Sequence, residues 1–207
     1  SSALSTHTNE TQLISDASAL KQLKADISYA ALRIEPHDKQ SVFYSIINNT
    51  KRIGASVQID GDTLVISTKK NHTWSWLFGW NRNKMGHAKT LITVKIPQNM
   101  LFNTANINIG AASLMLDGFI VNQRFNLNTG AGKVDVKNIT ASNVNIETGV
   151  GETVFHNCSF TDTVMNTGIG ETVFDGSVFN NLEINAGIGE IDMRINGKKD
   201  DYLINAT

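Results

Sequence analysis

Three glutamates at a constant spacing are the side chains of this sequence whose pattern most suggests chemistry. Glu152, Glu171 and Glu190 are 19 residues apart, and each directly follows a Gly-x-Gly segment. Carboxylates stacked about 4.8 Å apart on neighbouring strands would repel one another, and a bound Ca²⁺ would relieve that repulsion. We favour solvated, salt-screened glutamates instead, because the second aspartate-rich turn of calcium-binding nonapeptide rolls is missing here. We therefore predict no metal site and no cofactor.

An acid–base or metal-dependent active site has little support elsewhere in the chain. The five histidines do not fall at metal-ligand or catalytic-triad spacings. They are His7, His37, His72, His87 and His156. The glutamates repeat with the fold, which is typical of a solvated corner rather than of a unique reaction centre. The sequence thus predicts a protein without catalytic residues. The alternative is a carbohydrate-active β-helix enzyme that uses acids or bases on one face.

The aromatic and basic residues between positions 70 and 87 are the candidate binding site, and all three tryptophans of the chain lie among them. The candidate residues are Lys70, Trp74, Trp76, Phe78, Trp80, Arg82 and Lys84. Tryptophan beside lysine and arginine suits membrane interfaces, sugar faces and protein hot spots. The alternative is a structural lid, in which the rings of the segment Asn71–His87 fold back and cover an open edge or end of the sheet.

A repeat of 19 residues organises the second half of the chain and would position these groups. Each repeat contains a Gly-x-Gly segment, and the first glycines of the four segments are Gly130, Gly149, Gly168 and Gly187. Short alternating apolar patterns before and after it indicate strands, and no helical period is present. A constant period of about 20 residues is typical of repeat architectures. We therefore predict an all-β fold, a parallel β-solenoid with coils of about 19 residues.

We expect the Gly-x-Gly segment to form the corner of each coil. Its glycines can adopt positive φ, and the apolar residue between them is expected to point inward. These middle residues are Ala131, Val150, Ile169 and Ile188. Equivalent residues of successive coils should form ladders. The predicted ladders are Thr129, Thr148 and Thr167, then the three glutamates, then Asn143, Asp162 and Asn181. The single cysteine, Cys158, falls at an inward position and is expected to be a buried thiol.

The first half of the chain predicts less regular strands within the same domain. We expect a flexible leader over residues 1–19 and one all-β domain over 20–207, with irregular strands in 20–104 and regular repeats in 105–207. Strand patterns fall at about 20–28, 31–35, 42–47, 55–59, 63–67 and 91–96, and the tryptophan-rich insertion 71–87 interrupts them. The 41% hydrophobic content supports a continuous core, while the net charge of −1 disfavours nucleic-acid binding.

Three stretches resemble the putative adhesin domain family of bacterial cell-envelope proteins, which are β-strand-repeat domains of unknown function. They are residues 23–34, residues 61–66 followed by 94–97, and the run of Gly-x-Gly-Glu corners. The resemblance implies an extracytoplasmic or cell-surface domain, anchored to a membrane through a segment outside this chain. It implies a non-enzymatic role in adhesion, surface contact or envelope-stress signalling, and it transfers no catalytic residue. The implied partner is a cell-wall polymer, a membrane surface or another envelope protein, and self-association is compatible with it.

Overall fold

The computed structural model describes residues 9–70, 90–195 and 202–206. Strands dominate these residues, and the helical content of the described chain is a 3₁₀ turn at Ala17–Ala19. The strands are β1 Thr11–Ile14, β2 Gln22–Ile27, β3 Ala31–His37, β4 Val42–Ile47, β5 Ser56–Asp60, β6 Thr63–Ser67, β7 Leu91–Pro97, β8 Met100–Ala111, β9 Leu114–Asp117, β10 Phe119–Ala131, β11 Val134–Lys137, β12 Thr140–Val150, β13 Thr153–His156, β14 Ser159–Ile195 and β15 Tyr202–Ala206. They belong to one fifteen-stranded sheet, which confirms the all-β prediction.

Two parallel ladders of strands run through this sheet and meet in β14. The first ladder contains β6, β2, β8, β10, β12 and β14, and the second contains β7, β3, β9, β11, β13 and β14. β15 pairs in parallel with the end of β14. Antiparallel pairing is found at the other end, where β5 pairs with β6, β4 with β7, and β1 with β4. These short antiparallel strands cover the edges that β6 and β7 would otherwise expose.

The sequence repeat sets the register of the second half of the sheet. Thr153 pairs with Val134 on one side and with Thr172 on the other. A side-chain hydrogen bond from Asn157 to Asn138 also joins residues that are 19 positions apart. Equivalent positions of successive repeats therefore stack directly on one another, which is the mostly parallel pairing that the repeat predicts.

The predicted threonine ladder and part of the predicted Asn/Asp ladder are present. Thr129, Thr148 and Thr167 are paired in register. Asn181 donates a hydrogen bond of 2.9 Å to Asp162. These two residues and Asn143 share a positive φ of 52° to 60°. Asn and Asp tolerate this left-handed conformation better than other non-glycine residues, so this ladder forms a corner of the stack without glycine.

The strands predicted as irregular include four members of the parallel ladders. β2 pairs in parallel with β6 and β8, and β3 pairs in parallel with β7 and β9. β6 and β7 follow β2 and β3 in the chain but lie outside them in the sheet, so the stacking order differs from the sequence order. The predicted boundary between residues 104 and 105 also falls inside β8. Local alternation identified these strands but could not show which strands they pair with.

Residues 9–19, predicted as part of a flexible leader, are instead folded against the sheet. β1 pairs with β4, and Glu10 forms an ion pair with Lys95. The Asp16 carboxylate accepts a hydrogen bond from the backbone N–H of Ser18, which caps the 3₁₀ turn and lowers the pKa of Asp16. Ala17 in that turn is buried. The leader prediction is therefore wrong over this range, and residues 1–8 lie outside the described residues.

A continuous column of aromatic rings forms much of the core. In order of contact it contains Phe102, Phe119, Phe125, Phe160, Phe155, Phe174 and Phe179. Successive ring centroids are 4.9 to 6.4 Å apart, and all seven side chains are buried. Aromatic pairs at such distances add roughly 0.5–1.5 kcal/mol each beyond the burial of their area. This column runs across the repeats and joins them into one core.

The Gly-x-Gly corners differ from the prediction in two respects. The apolar middle residues point outward, with 54% of Val150 and 71% of Ile188 exposed. Side chains along a strand alternate between inward and outward. If the alternation is counted forward from the buried Ile146, Val150 should point inward, but if it is counted backward from the buried Thr153, Val150 should point outward. The inward prediction is wrong because the phase of alternation shifts inside the corner. The second glycine, not the first, has positive φ, which is 136° at Gly151.

Candidate binding groove

A groove of about 800 Å³ crosses β2, β8, β10 and β12 of the first ladder. Its residues belong to rows of equivalent positions that run perpendicular to the strands. The polar row is Asp26, Asn108, Asn128 and Glu147, and it continues to Asn166 and Asn185. The glycine row is Ser28, Gly110, Gly130 and Gly149, and it continues to Gly168 and Gly187. The apolar row is Tyr29, Ala111, Ala131, Val150, Ile169 and Ile188.

The glycine row forms the floor of the groove because no side chain fits there. A Cβ on Gly149 would lie 2.2 Å from the backbone oxygen of Gly130, and a Cβ on Gly130 would lie 2.3 Å from that of Gly110. Glycine is therefore required at these positions by the close approach of neighbouring strands and not by φ. The hydroxyl-bearing residues Thr129 and Thr148 lie between the glycine row and the polar row. The floor is consequently bare backbone bordered by hydroxyl groups.

The polar row forms one wall of the groove and is interrupted at Glu147. Asn128 donates a hydrogen bond of 2.9 Å to the side-chain oxygen of Asn108, and Asn185 donates one of 3.0 Å to Asn166. Between these two pairs stands Glu147, whose side chain, unlike that of asparagine, has no N–H group to donate. The side-chain oxygen of Asn128, which faces no solvent, has no hydrogen-bond partner. An asparagine at position 147 could supply that missing donor.

The apolar row borders the other side of the groove and is exposed along its length. Its first members, Tyr29 and Ala111, line the groove. Tyr29 is 61% exposed, and Ile169 is 53% exposed. The alternation shift inside each corner turns these side chains away from the core. The groove therefore lies between a wall of amides and carboxylates and a ridge of apolar side chains.

The predicted glutamate ladder lies two residues beyond the apolar row. The Lys133 ammonium occupies the preceding position of this ladder and lies 3.7 Å from the Glu152 carboxylate. Glu171 and Glu190 are exposed. Across residues 9–70, 90–195 and 202–206, no group of three or more His, Cys, Asp or Glu side chains is arranged to hold a metal ion. The ladder is therefore an acidic strip that runs beside the apolar row.

Two side chains with nucleophilic or acid–base character serve the structure instead. His156 lies 3.1 Å from Asp175 at the surface. Cys158 is 2% exposed, which confirms the predicted buried thiol, and burial raises its pKa to about 11. Its backbone N–H donates to the hydroxyl of Ser177, the equivalent residue one repeat later. A buried, protonated thiol is a poor nucleophile.

The match to one family model covers most of the chain. Residues 20–207 match the model described as Toastrack DUF4097. The chain belongs to the Toastrack DUF4097 family. This membership confirms the resemblance drawn from the three sequence stretches, that of an adhesin-like domain of unknown function. No curated protein matches the Toastrack sequence.

Two solved structures are similar to this Toastrack domain. The crystal structure of a putative cell adhesion protein from Clostridium sporogenes ATCC 15579 aligns with a TM-score of 0.57, covering 96% of this chain and 99% of that chain at 13% identity. This likeness shows a shared fold. A putative adhesin from Parabacteroides distasonis ATCC 8503 aligns over 96% of both chains at 12% identity, but its TM-score of 0.30 carries no structural argument. Within its described residues, the Toastrack domain has no helix of the length and hydropathy needed to cross a membrane.

The structure places one of the seven predicted binding residues, and it places it beside the groove. The ammonium of Lys70 lies 3.5 Å from the carboxylate of Asp26, the first member of the polar row. The other six lie outside the described residues: Trp74, Trp76, Phe78, Trp80, Arg82 and Lys84. The groove itself was missed by the sequence analysis. Its signal is the constant spacing of Gly130 and Gly149, each preceded by a polar residue and followed by an exposed apolar one.

Proposed function

We propose that this Toastrack domain is a non-enzymatic contact module of the bacterial cell surface, acting outside the cytoplasm in adhesion, surface contact or envelope-stress signalling. In this proposal each 19-residue repeat is one coil of a β-solenoid. The solenoid would be a rigid mount for contact residues. Binding residues gather on loops and corners that a rigid scaffold positions, and this is the arrangement expected of such a module.

The exposed apolar row is the observation that carries this proposal. It presents one apolar side chain per repeat, from Tyr29 at 61% exposure to Ile188 at 71% exposure. Soluble proteins rarely leave an extended apolar surface uncovered, and surfaces of this kind mark sites of contact with other molecules. The row is built into the repeat, so its side chains are held at a constant spacing along the stack.

The tryptophan-rich segment Asn71–His87 is the second contact surface in this proposal. The segment directly follows Lys70, whose ion pair with Asp26 is 3.5 Å long. Lys70, the last described residue before the segment, therefore lies at one end of the polar row. The position of Lys70 supports a contact surface to which both the groove and the segment contribute.

The distribution of charged groups supports a non-catalytic role. Lys133 pairs with Glu152, and His156 pairs with Asp175 one repeat away. These groups lie on solvated ladders rather than converging on one point, whereas an acid–base site needs its groups within hydrogen-bond reach of one reacting atom.

The test is binding of the purified domain to isolated cell-wall polymer and to membrane vesicles. Wild type is compared with Trp74→Ser/Trp76→Ser/Trp80→Ser and with Val150→Asp/Ile169→Asp, and the control is Val164→Asp, an exposed valine outside the apolar row. We expect both contact variants to lose binding while the control retains it and all melting temperatures stay close. If the tryptophan variant keeps its binding and oligomeric state but melts at a much lower temperature, the segment is a structural lid. If wild type binds none of these materials, the proposed function is wrong.

A further inference from the structure

We infer that the groove between the polar row and the apolar row binds a linear polysaccharide that carries no anionic groups. This inference deepens the proposed contact function and rests on it, since it assigns a ligand class to one surface of the module. The groove runs across β2, β8, β10 and β12 and has a volume of about 800 Å³. That volume falls in the range of roughly 300–1,000 Å³ that is typical of ligand sites in proteins.

The two walls of the groove match the two kinds of surface on a pyranose ring. Sugar hydroxyl groups both donate and accept hydrogen bonds, and so does the amide side chain of Asn108, which lines the groove. The C–H face of a sugar ring packs on aromatic and apolar side chains. Tyr29 offers a ring that is 61% exposed and lines the same groove. Such a ring with a polar end combines contact area and hydrogen bonding at little cost in conformational entropy.

The direction of the groove favours a polysaccharide over an extended peptide. A peptide that joins a sheet lies parallel to the strands and bonds to an unpaired strand edge. This groove runs perpendicular to the strands, and each strand that it crosses is paired on both sides. The rows repeat at the usual strand spacing of about 4.8 Å, which gives the four strands of the groove a length of roughly 14 Å. A linear chain of sugar rings has a similar repeat and can follow the rows.

The charges around the groove exclude anionic polymers and anionic lipid surfaces as favoured occupants. Asp26 and Glu147 stand in the polar wall of the groove. On the far side of the apolar row, the groove is flanked by Glu152, which pairs with Lys133, while Glu171 and Glu190 lie in β14, outside the residues that line it. Lys70 lies at one end, where it pairs with Asp26. Carboxylates in the wall of a concave surface repel phosphate and uronate groups, especially at low salt.

Glu147 is the member of the polar row that points most directly to binding. A repeated asparagine would continue the amide ladder, yet the chain carries a carboxylate here and leaves the side-chain oxygen of Asn128 without a partner. Functional residues often occupy positions where another residue would stabilise the fold more. The exposed carboxylate of Glu147 can accept charge-assisted hydrogen bonds from two neighbouring sugar hydroxyl groups. It would act as the central polar anchor of the groove.

The test is calorimetric binding of the whole chain to three soluble probes: a β-1,4-linked N-acetylglucosamine hexamer, a glucose hexamer with the same linkage, and an oligogalacturonate. We expect at least one neutral hexamer to bind, and the anionic oligomer to bind more weakly. Tyr29→Ala should weaken binding of the neutral hexamer roughly tenfold, as for a contact aromatic. Glu147→Asn should weaken it without lowering the melting temperature. The matched control is Leu101→Ala, which truncates an exposed side chain outside the groove.

The outcomes separate this inference from the proposed function. Preference for the oligogalacturonate, or unchanged binding of the neutral hexamers by Tyr29→Ala and Glu147→Asn, overturns the inference. Wild-type protein that binds cell-wall polymer or membrane vesicles, but none of the neutral hexamers, also overturns it and leaves the proposed function standing. Wild-type protein that binds none of these materials overturns both.

Discussion

Phe155 and Phe174 stack face to face in the core, with ring centroids 5.0 Å apart and an interplanar angle of 12°. They occupy the same position in successive repeats, so their contact joins one repeat to the next. Phe174→Ala should lower the free energy of unfolding by about 3–5 kcal/mol, the usual loss when a buried aromatic is truncated. Chemical denaturation followed by circular dichroism measures this loss. Leu101→Ala, at a 47% exposed position, is the control and should change little. An unchanged midpoint for Phe174→Ala would show that the column does not hold the repeats together.

Gly149→Ala tests whether the floor of the groove needs glycine because of close strand approach. The added Cβ would meet the backbone oxygen of Gly130 at 2.2 Å, so the strands must separate. We expect a loss of about 3 kcal/mol or more in the free energy of unfolding, at the upper end of overpacking effects. The matched control is Gly61→Ala, where φ is +60° but no atom lies within 4 Å of the added Cβ. That variant should lose only about 1 kcal/mol, the cost of a left-handed alanine. Equal losses would refute the close-approach argument.

Much of this fold could be predicted from the sequence because the repeat makes local and global signals agree. Thr148 and Cys158 were placed correctly, since their positions recur in step with the strand register. The outward direction of Val150 could not be derived, because alternation from its two sides gives opposite answers. The parallel pairing of β2 with β6 and β8 could not be predicted from the sequence either. Those partners begin 41 and 82 positions after Gln22, and no repeated Gly-x-Gly segment marks the stretches between them.

Glu147→Asn should stabilise the domain by completing the amide row. The new side chain can donate to the unpartnered oxygen of Asn128, and a net hydrogen bond contributes about 1 kcal/mol. Thermal and chemical denaturation of the two proteins measures the gain. Glu171→Asn is the control for removing a negative charge, because its position has no asparagine row beside it. A double-mutant cycle with Asn128→Ala isolates the contact. No extra loss from Asn128→Ala in the Glu147→Asn background would contradict the proposed bond.

Alkaline conditions should destabilise the domain through Cys158. Burial raises the pKa of this thiol from 9.0 to about 11, so above pH 9 the unfolded chain releases a proton that the folded chain retains. The contribution of the protonated thiol to the free energy of unfolding is fully present below pH 9. It decreases by roughly 2–3 kcal/mol as the pH rises to about 11. The measurement is the free energy of unfolding against pH for wild type and Cys158→Ser, which the buried Ser177 of the next repeat shows to be an acceptable substitution. The difference between the two curves should be flat below pH 9 and change above it. A flat difference up to pH 11 would rule out a buried, protonated thiol.

The groove between the polar row and the apolar row is the proposed contact surface of this domain. Nuclear magnetic resonance of the isotope-labelled chain, titrated with the N-acetylglucosamine hexamer and the glucose hexamer, tests it most directly. We expect chemical-shift changes to concentrate at the backbone amides of Gly130 and Gly149 and at the side-chain amide of Asn128. Leu101 and Val178, exposed outside the groove, should not respond. Changes centred on those two residues, or no changes with either hexamer, would show that the groove is not the contact surface.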